Sequence, residues 1–397
     1  MNAIAWRLTL AASVLMGIAM GGRSASGLFV SPLNTASGMG LAPLSFALAV
    51  GQLAVGLAQP AIGALADRHG ASRVIVLGAL VLALATSVPV VWPLPVVLSV
   101  ALVASAVAGS AVGSNGLLLG EVGRAISPTR AGLAVGVISA GGSAGQLVLG
   151  PSIQWAIDRH GWVVALLAMA ALSLIALPLA LAFRRPESAT VQPTHRSQRV
   201  ADVLRRWRFW RVAASFGVCG FHVGFLAVHM PGVIERCGLP PSLAGTWIAL
   251  AGAANIAGSV AVGFALKRRD PGALLIGLYA VRALAIAALL VLPVSSTVML
   301  GFALLMGASH MATLPPTAQL ISHHYGVQRL GTLFGVVMLV HQVGSFAGIW
   351  LGGWVAQVTG NDQLLWCVDA GLALCAAALV WPRRTAAEPV PAAPARA

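Results

Sequence analysis

Long apolar runs separated by short polar joints are the dominant pattern of the chain. No charged residue lies between Arg73 and Glu121, and between Arg7 and Asp67 there is only Arg23. A hydrocarbon core about 30 Å thick takes about 20 apolar residues per helix, and runs of that size recur along the sequence. They predict twelve spans, at about 8–30, 43–65, 74–92, 95–120, 131–155, 161–183, 212–233, 243–266, 272–292, 297–321, 330–356 and 364–381. Pro and Gly punctuate these runs, as membrane helices tolerate. The longest polar stretch, 184–211, holds Arg184, Arg185, Arg196, Arg199, Arg205, Arg206, Arg208 and Arg211. It divides the chain into a six-helix half at 1–183, a basic linker, and a second half at 212–397. The expected fold class is an all-α polytopic membrane protein of two pseudo-symmetric six-helix bundles.

An internal repeat supports that division. Arg130, Gly132, Gly136 and Gly145 recur as Arg329, Gly331, Gly335 and Gly344, every pair 199 residues apart and each set at the start of its span. Gly63 and Gly263 are paired at an offset of 200. Two parallel halves are the expected product.

Composition agrees. Of 397 residues, 58% are hydrophobic and 9% charged, with mean hydropathy +0.89; soluble domains carry about 25% charged residues. The net charge of +14 would suit nucleic acid if it were clustered on one surface, but it sits in the joints. With the N-terminus inside, the inner segments hold Arg7, Arg68, Arg73, Arg124, Arg130, the eight linker arginines, Lys267, Arg268, Arg269, Arg329, Arg383, Arg384 and Arg396, which is 20. The outer loops hold Arg159 and Arg236, and Arg23 and Arg282 fall within spans. A ratio of 20 to 2 is a positive-inside signal, placing both termini and the linker in the cytoplasm and the chain in the cell's inner (plasma) membrane. Arg7 before an apolar run resembles a signal peptide, but the run is long and a second span follows, so an uncleaved first helix is expected. Cys219, Cys237, Cys367 and Cys375 show no metal-ligand spacing; they read as small apolar residues.

The joint after span two reads Gly63-Ala-Leu-Ala-Asp67-Arg68-His-Gly70-Ala-Ser-Arg73. Gly-x-x-x-Asp-Arg-x-Gly followed by Arg resembles the signature loop of the major facilitator superfamily. Gly63 suits close helix packing, Asp67 can pair with Arg68 or cap a neighbouring helix, and Gly70 suits a tight turn. One basic position of the pattern is Ser72, and the second copy has Lys267 in place of the aspartate. The loop identifies a fold and a gating interface, not a substrate. A narrower resemblance covers most of the chain. GRSASGLFVSPL, LAQPAIGALADRHG, FGVCGFHVGFLAVHMPGVI and LGTLFGVVMLVHQVGSFAGIWLGGW look like the monocarboxylate-transporter branch and its bacterial relatives. In lactate-type members a cation stands in helix one where Arg23 stands here, and is implicated in holding the substrate carboxylate. Those members also carry an Asp and an Arg one turn apart in helix eight, where this chain has Asn255 and Ser259, so substrate identity does not carry over directly.

In this superfamily helices one, four, seven and ten line the cavity, while three, six, nine and twelve are peripheral. That rule sorts the candidates. An ionised side chain at membrane depth is costly and is a functional-site hypothesis by default. Arg23 reads either as an anion site or as the partner of a helix-end carbonyl; no carboxylate in nearby spans is an obvious partner. Asn115 and Asn255 are substrate-binding candidates, Asn115 alternatively helix–helix glue. His222 and His310 are candidates for both substrate and proton, since imidazole titrates near neutral pH. His341, beside Gln342, and Asp369, expected near the outer surface of span twelve, are further proton candidates. His229 lies seven residues after His222 on the same face. Arg282, deep in span nine, reads as structurally paired with Tyr279 or a backbone carbonyl, and less readily as a substrate contact.

No phosphate-binding Gly-Lys-Ser loop or nucleophile elbow occurs. No cofactor, metal or enzymatic activity is therefore expected. The expected function is proton-coupled transport of a small organic anion, foremost a monocarboxylate, by alternating access of a monomer in the bilayer. The alternative is a proton-driven exporter of drugs or amphiphiles. Such exporters carry Gly-Pro-x-x-Gly-Gly in helix five, where this chain reads Gly150-Pro151-Ser152-Ile153-Gln154-Trp155. A non-transporting receptor is a third reading; no loop is long enough for a signalling domain.

Overall fold

A computed structural model describes residues 3–126, 128–184, 200–326 and 330–381. Most of the linker, Arg329 and the end of the chain lie outside the described residues, as does the side chain of Asn115. The described residues are helical throughout, without strands. Eleven helices are long and apolar enough to cross a membrane. One of these, Leu133–Phe183, has 51 residues and turns at Gly161, whose φ of 82° and ψ of 164° are non-helical. It makes spans five and six, so the chain crosses twelve times.

Four spans are broken, span six at Ile175 between the helix ending at Leu174 and Ala176–Ala180, and three more as follows. Span one runs Ala3–Ala25, tightens at Ser26–Phe29 and resumes at Val30–Ser37. Span four is Pro95–Val112 followed by Asn115–Ala125, and Ser114 caps the second piece by accepting the Leu117 amide at 3.4 Å. Span ten is Ser296–Ser309, a turn at Met311–Thr313, then Leu314–Tyr325. Its break therefore precedes Pro315 and Pro316, which begin the second piece, where a missing N–H costs nothing. The remaining spans are two (Leu41–His69), three (Ala71–Val91), seven (Trp207–Arg236), eight (Ser242–Ala265), nine (Pro271–Val291), eleven (Leu330–Thr359) and twelve (Gln363–Val380). Several outrun the apolar runs that predict them, because helix continues through the polar joints. Span two reaches His69 and ends at Gly70, whose φ of 86° favours glycine.

Within each half, glycines bring paired helices into backbone contact. A Cβ on Gly145 of span five would strike Gly17 of span one, and a Cβ on Gly344 of span eleven would strike Gly217 of span seven. The repeat seen in the sequence is thus one crossing built twice.

The halves meet chiefly through three pairs: one with seven, two with eleven, and five with eight. Gly27 abuts the Ala227 and Val228 carbonyls; Gly353 abuts Ser45; Gly245 abuts Gln154 and Pro151. Gln52 Nε2 donates to Gln342 Oε1 at 2.9 Å, and the Ala42 amide donates to Gln357 Oε1 at 2.7 Å. These contacts lie from mid-span toward the end opposite the linker. At the linker end, Gly63, Gly136, Gly263 and Gly335 have open space where a Cβ would stand. The contacts between the halves described above leave these four positions unpacked. Two expectations are thereby corrected. Gly63 is not packed in this state, and Asp67 and Arg68, both exposed, form no ion pair with each other.

Candidate functional site

A cavity lies between the halves at the broken and crossing helices. Its wall includes Ser24, Gln146, Leu226, Trp247, Met306 and His310. Spans one, seven and ten contribute as expected, while span four, also expected, contributes no described residue to the wall. Spans five and eight contribute through Gln146 and Trp247, beyond the reach of the four-helix rule, because these two spans also form the interface between halves. Gln146 Nε2 donates to Ser24 Oγ at 2.8 Å, tying span five to the last turn of the first piece of span one.

Arg23 is the neighbour of Ser24 and lies at the end of that piece. It is half-buried. Its carbonyl accepts Ser26 Oγ at 2.7 Å, but its guanidinium has no hydrogen bond or ion pair to another described residue. It is not itself among the residues that bound the cavity. An unpaired guanidinium at this depth offers five donors in a planar fork that match a carboxylate.

Span ten's break presents His310. His310 lines the cavity, and its backbone has φ −60° and ψ −78°. Asn255 is buried behind it. Asn255 Oδ1 accepts the Met311 amide at 3.1 Å, and Nδ2 donates to Ser143 Oγ of span five at 3.2 Å. Asn255 thus clamps the break to the other half; it does not bound the cavity.

Arg282 is 1% exposed and fully engaged. Nε donates to Ser309 Oγ at 3.1 Å, Nη2 donates to the carbonyls of Ser309 at 2.7 Å and His310 at 3.2 Å, and Nη1 lies 3.3 Å from His222 Nδ1. Its guanidinium carbon is 5.5 Å from the Tyr279 ring centre. A helix C-terminus carries unsatisfied carbonyls and partial negative charge, so a guanidinium there completes the first piece of span ten. Ser309 carries no signal in the sequence, where nothing distinguishes it from other intramembrane serines.

His222 does not bound the cavity; it faces span twelve. Its Nε2 lies 3.2 Å from the Asp369 carbonyl and 3.1 Å from Asp369 Oδ1. The sequence places Asp369 near the outer surface, but it has no exposed area, because span twelve packs this side against spans seven and nine. His229 Nε2 lies 2.7 Å from the Ile349 carbonyl, and His341 stands 4.9 Å from the Phe216 ring with Nδ1 unpartnered. Among the described residues no group of side chains is arranged to hold a metal ion.

Twelve crossings in two similar bundles around a central cavity define a multi-pass membrane protein of the transporter kind. The Major Facilitator Superfamily model matches residues 12–349, and the chain belongs to that family. It is 26% identical over 256 residues to YcxA of Bacillus subtilis (strain 168), an uncharacterised MFS-type transporter, covering 60% of each chain. It is 26% identical over 238 residues to monocarboxylate transporter 13 of Bos taurus, covering 58% of this chain and 55% of that one. The matches thus span little more than half the length of these relatives. Among solved structures, a mutant of the nucleoside transporter NupG aligns with TM-score 0.78 at 12% identity, over 95% of this chain and 98% of that one. A D-xylose-proton symporter aligns with TM-score 0.73 at 18% identity, over 95% and 97%. These structures share the fold. The family and its relatives are transporters, not enzymes.

Proposed function

We propose that this protein is a secondary transporter of small organic anions, monocarboxylates foremost, that moves its substrate together with protons by alternating access. The observation that carries the reading is Arg23: a half-buried guanidinium within an apolar span, without a protein oxygen to neutralise it among the described residues, beside the cavity residue Ser24. A fixed cation in a low-dielectric cavity attracts an anion far more strongly than in water, and the charge-assisted, two-pronged contact fits a carboxylate. Ser24, Gln146 and His310 are the polar residues of the wall, and Asn255 holds the break next to His310 through the Met311 amide. The relation to monocarboxylate transporter 13 supports the choice of anion. Alternating access fits two halves whose contacts lie toward one end and leave the four glycines at the other end unpacked. The positive-inside count supports a cytoplasmic linker end and cytoplasmic termini, with the protein acting as a monomer in the inner membrane.

The test is L-lactate uptake into proteoliposomes under an inward proton gradient. Arg23→Ala abolishes uptake while the protein stays folded; unchanged uptake removes Arg23 from the site. One observation favours a second reading, export of amphiphiles: most of the wall, including Leu226, Trp247 and Met306, is apolar. Stabilisation of the purified protein by a cationic amphiphile and not by L-lactate would select that reading, since a ligand stabilises the state it binds.

A further inference from the structure

Asp369 is one of ten acidic residues in the chain and, among the described residues, the one with 0% exposure. Neither carboxylate oxygen has an aligned hydrogen-bond donor. The nearest polar hydrogen is on His222 Nε2, 3.1 Å from Oδ1 but directed at the backbone carbonyl. The titratable side chains of the surrounding elements are Cys219, His222 and His229 in the middle of span seven, Tyr279 and Arg282 in span nine, and His341 in span eleven, with Cys367 and Cys375 on span twelve itself. Of these, His222 is the one that lies within hydrogen-bond distance of the carboxylate.

The tautomer of His222 follows from its other side. Arg282 Nη1 lies 3.3 Å from Nδ1, and a guanidinium can only donate. Nδ1 must therefore accept, and the single ring proton sits on Nε2. A second proton on Nδ1 would set N–H against N–H beside a fixed cation. His222 is thus held neutral, while the carboxyl group next to it can exchange between an ionised and a protonated form.

We propose that Asp369 is the proton-binding group of the transport cycle, with His222 and Arg282 linking it to the cavity-lining break at His310. The first part stands on this geometry; the second rests on the reading that the cargo is an anion. When hydronium gives its proton to a carboxylate oxygen, an O–H bond to water breaks, an O–H bond to the carboxyl forms, water leaves, and one negative charge disappears. Ionised Asp369 offsets Arg282. Protonated Asp369 leaves Arg282 uncompensated by any carboxylate among the described residues, 3.2 Å from the carbonyl of His310, a residue of the cavity wall. The potential in the cavity rises, and an anion binds more tightly. Linkage requires the converse: a bound anion tightens the proton. Proton and anion therefore load together, and neither loads well alone. His222 and Arg282 act as positioning residues in this scheme.

Two measurements on the full reconstituted chain decide it. Infrared difference spectra between neutral and acidic pH are expected to show a protonated-carboxyl band that disappears in Asp369→Asn, shifts in Asp369→Glu, and persists in Arg23→Ala. Calorimetric L-lactate affinity is expected to strengthen on acidification in the native protein and to lose its pH dependence in Asp369→Asn. A band that survives unshifted in both Asp369 variants overturns the assignment, as does retained pH dependence in folded Asp369→Asn. If L-lactate fails to bind the native protein, the anion reading suffers, and the infrared band still decides Asp369.

Discussion

Two arginines, Arg23 and Arg282, interrupt the apolar runs far from the polar joints, and their surroundings are opposite. Arg282 is wrapped by Ser309, His310, His222 and Tyr279; the Arg23 guanidinium meets no protein oxygen among the described residues. A charge fully engaged by protein atoms is structural in its immediate role, and one left open invites a ligand. Removing Arg282 strands two carbonyls at a helix end and the Nδ1 of His222 in a dry interior. Arg282→Met is expected to destabilise the protein by about 3 kcal/mol or more, read as a lowered thermal midpoint in detergent. Arg23→Ala should leave that midpoint nearly unchanged, because it breaks no contact. Comparable losses in both would mean that Arg23 has a structural partner. Both depths are legible in the sequence, since a charge in an apolar run stands out. The partners of Arg282 are not: Ser309 and His222 lie 27 and 60 residues away, and only the fold brings spans seven, nine and ten together.

At the scale of elements, glycine sets how closely helices cross, and broken helices set where the cavity can form. Gly344 meets the Gly217 carbonyl, so any Cβ there forces spans seven and eleven apart. Gly344→Val is expected to cost about 1–3 kcal/mol or more through overpacking, with loss of folded protein on size exclusion; a normally folded, normally stable variant would show that the crossing can yield. The repeat that contains this glycine is readable from its constant offset. The break in span ten is readable only roughly, from Pro315 and Pro316, because proline marks where a new helix can start. It does not mark where the preceding one ends, here at Ser309 against the Arg282 guanidinium. Spans five and eight are hard to recognise as cavity walls for a related reason: Gln146 and Trp247 look like ordinary interface residues until the two halves are placed side by side.

For the whole molecule, the decisive asymmetry is between ends. Contacts between halves fill the end opposite the linker, while Gly63, Gly136, Gly263 and Gly335 face open space at the linker end. A carrier that alternates must bring those positions together in its other state. Gly63→Trp is therefore expected to fold with undiminished stability, since the space is free, yet to lose transport because closure at that end is blocked. Full transport by this variant would place the closing surfaces elsewhere. The signature loop announces this interface in the sequence, but the state of the interface is a property of two bundles and cannot be read from one strip of residues. The proposed recognition of an anion rests on Arg23, a half-buried residue next in sequence to the cavity residue Ser24. Its most direct test is titration calorimetry of L-lactate into the purified protein and into Arg23→Ala at one pH. Saturable binding is predicted for the native protein, with a loss of at least about tenfold in affinity in the variant, the effect of about 1.4 kcal/mol. Equal binding by the two proteins would contradict the role of Arg23.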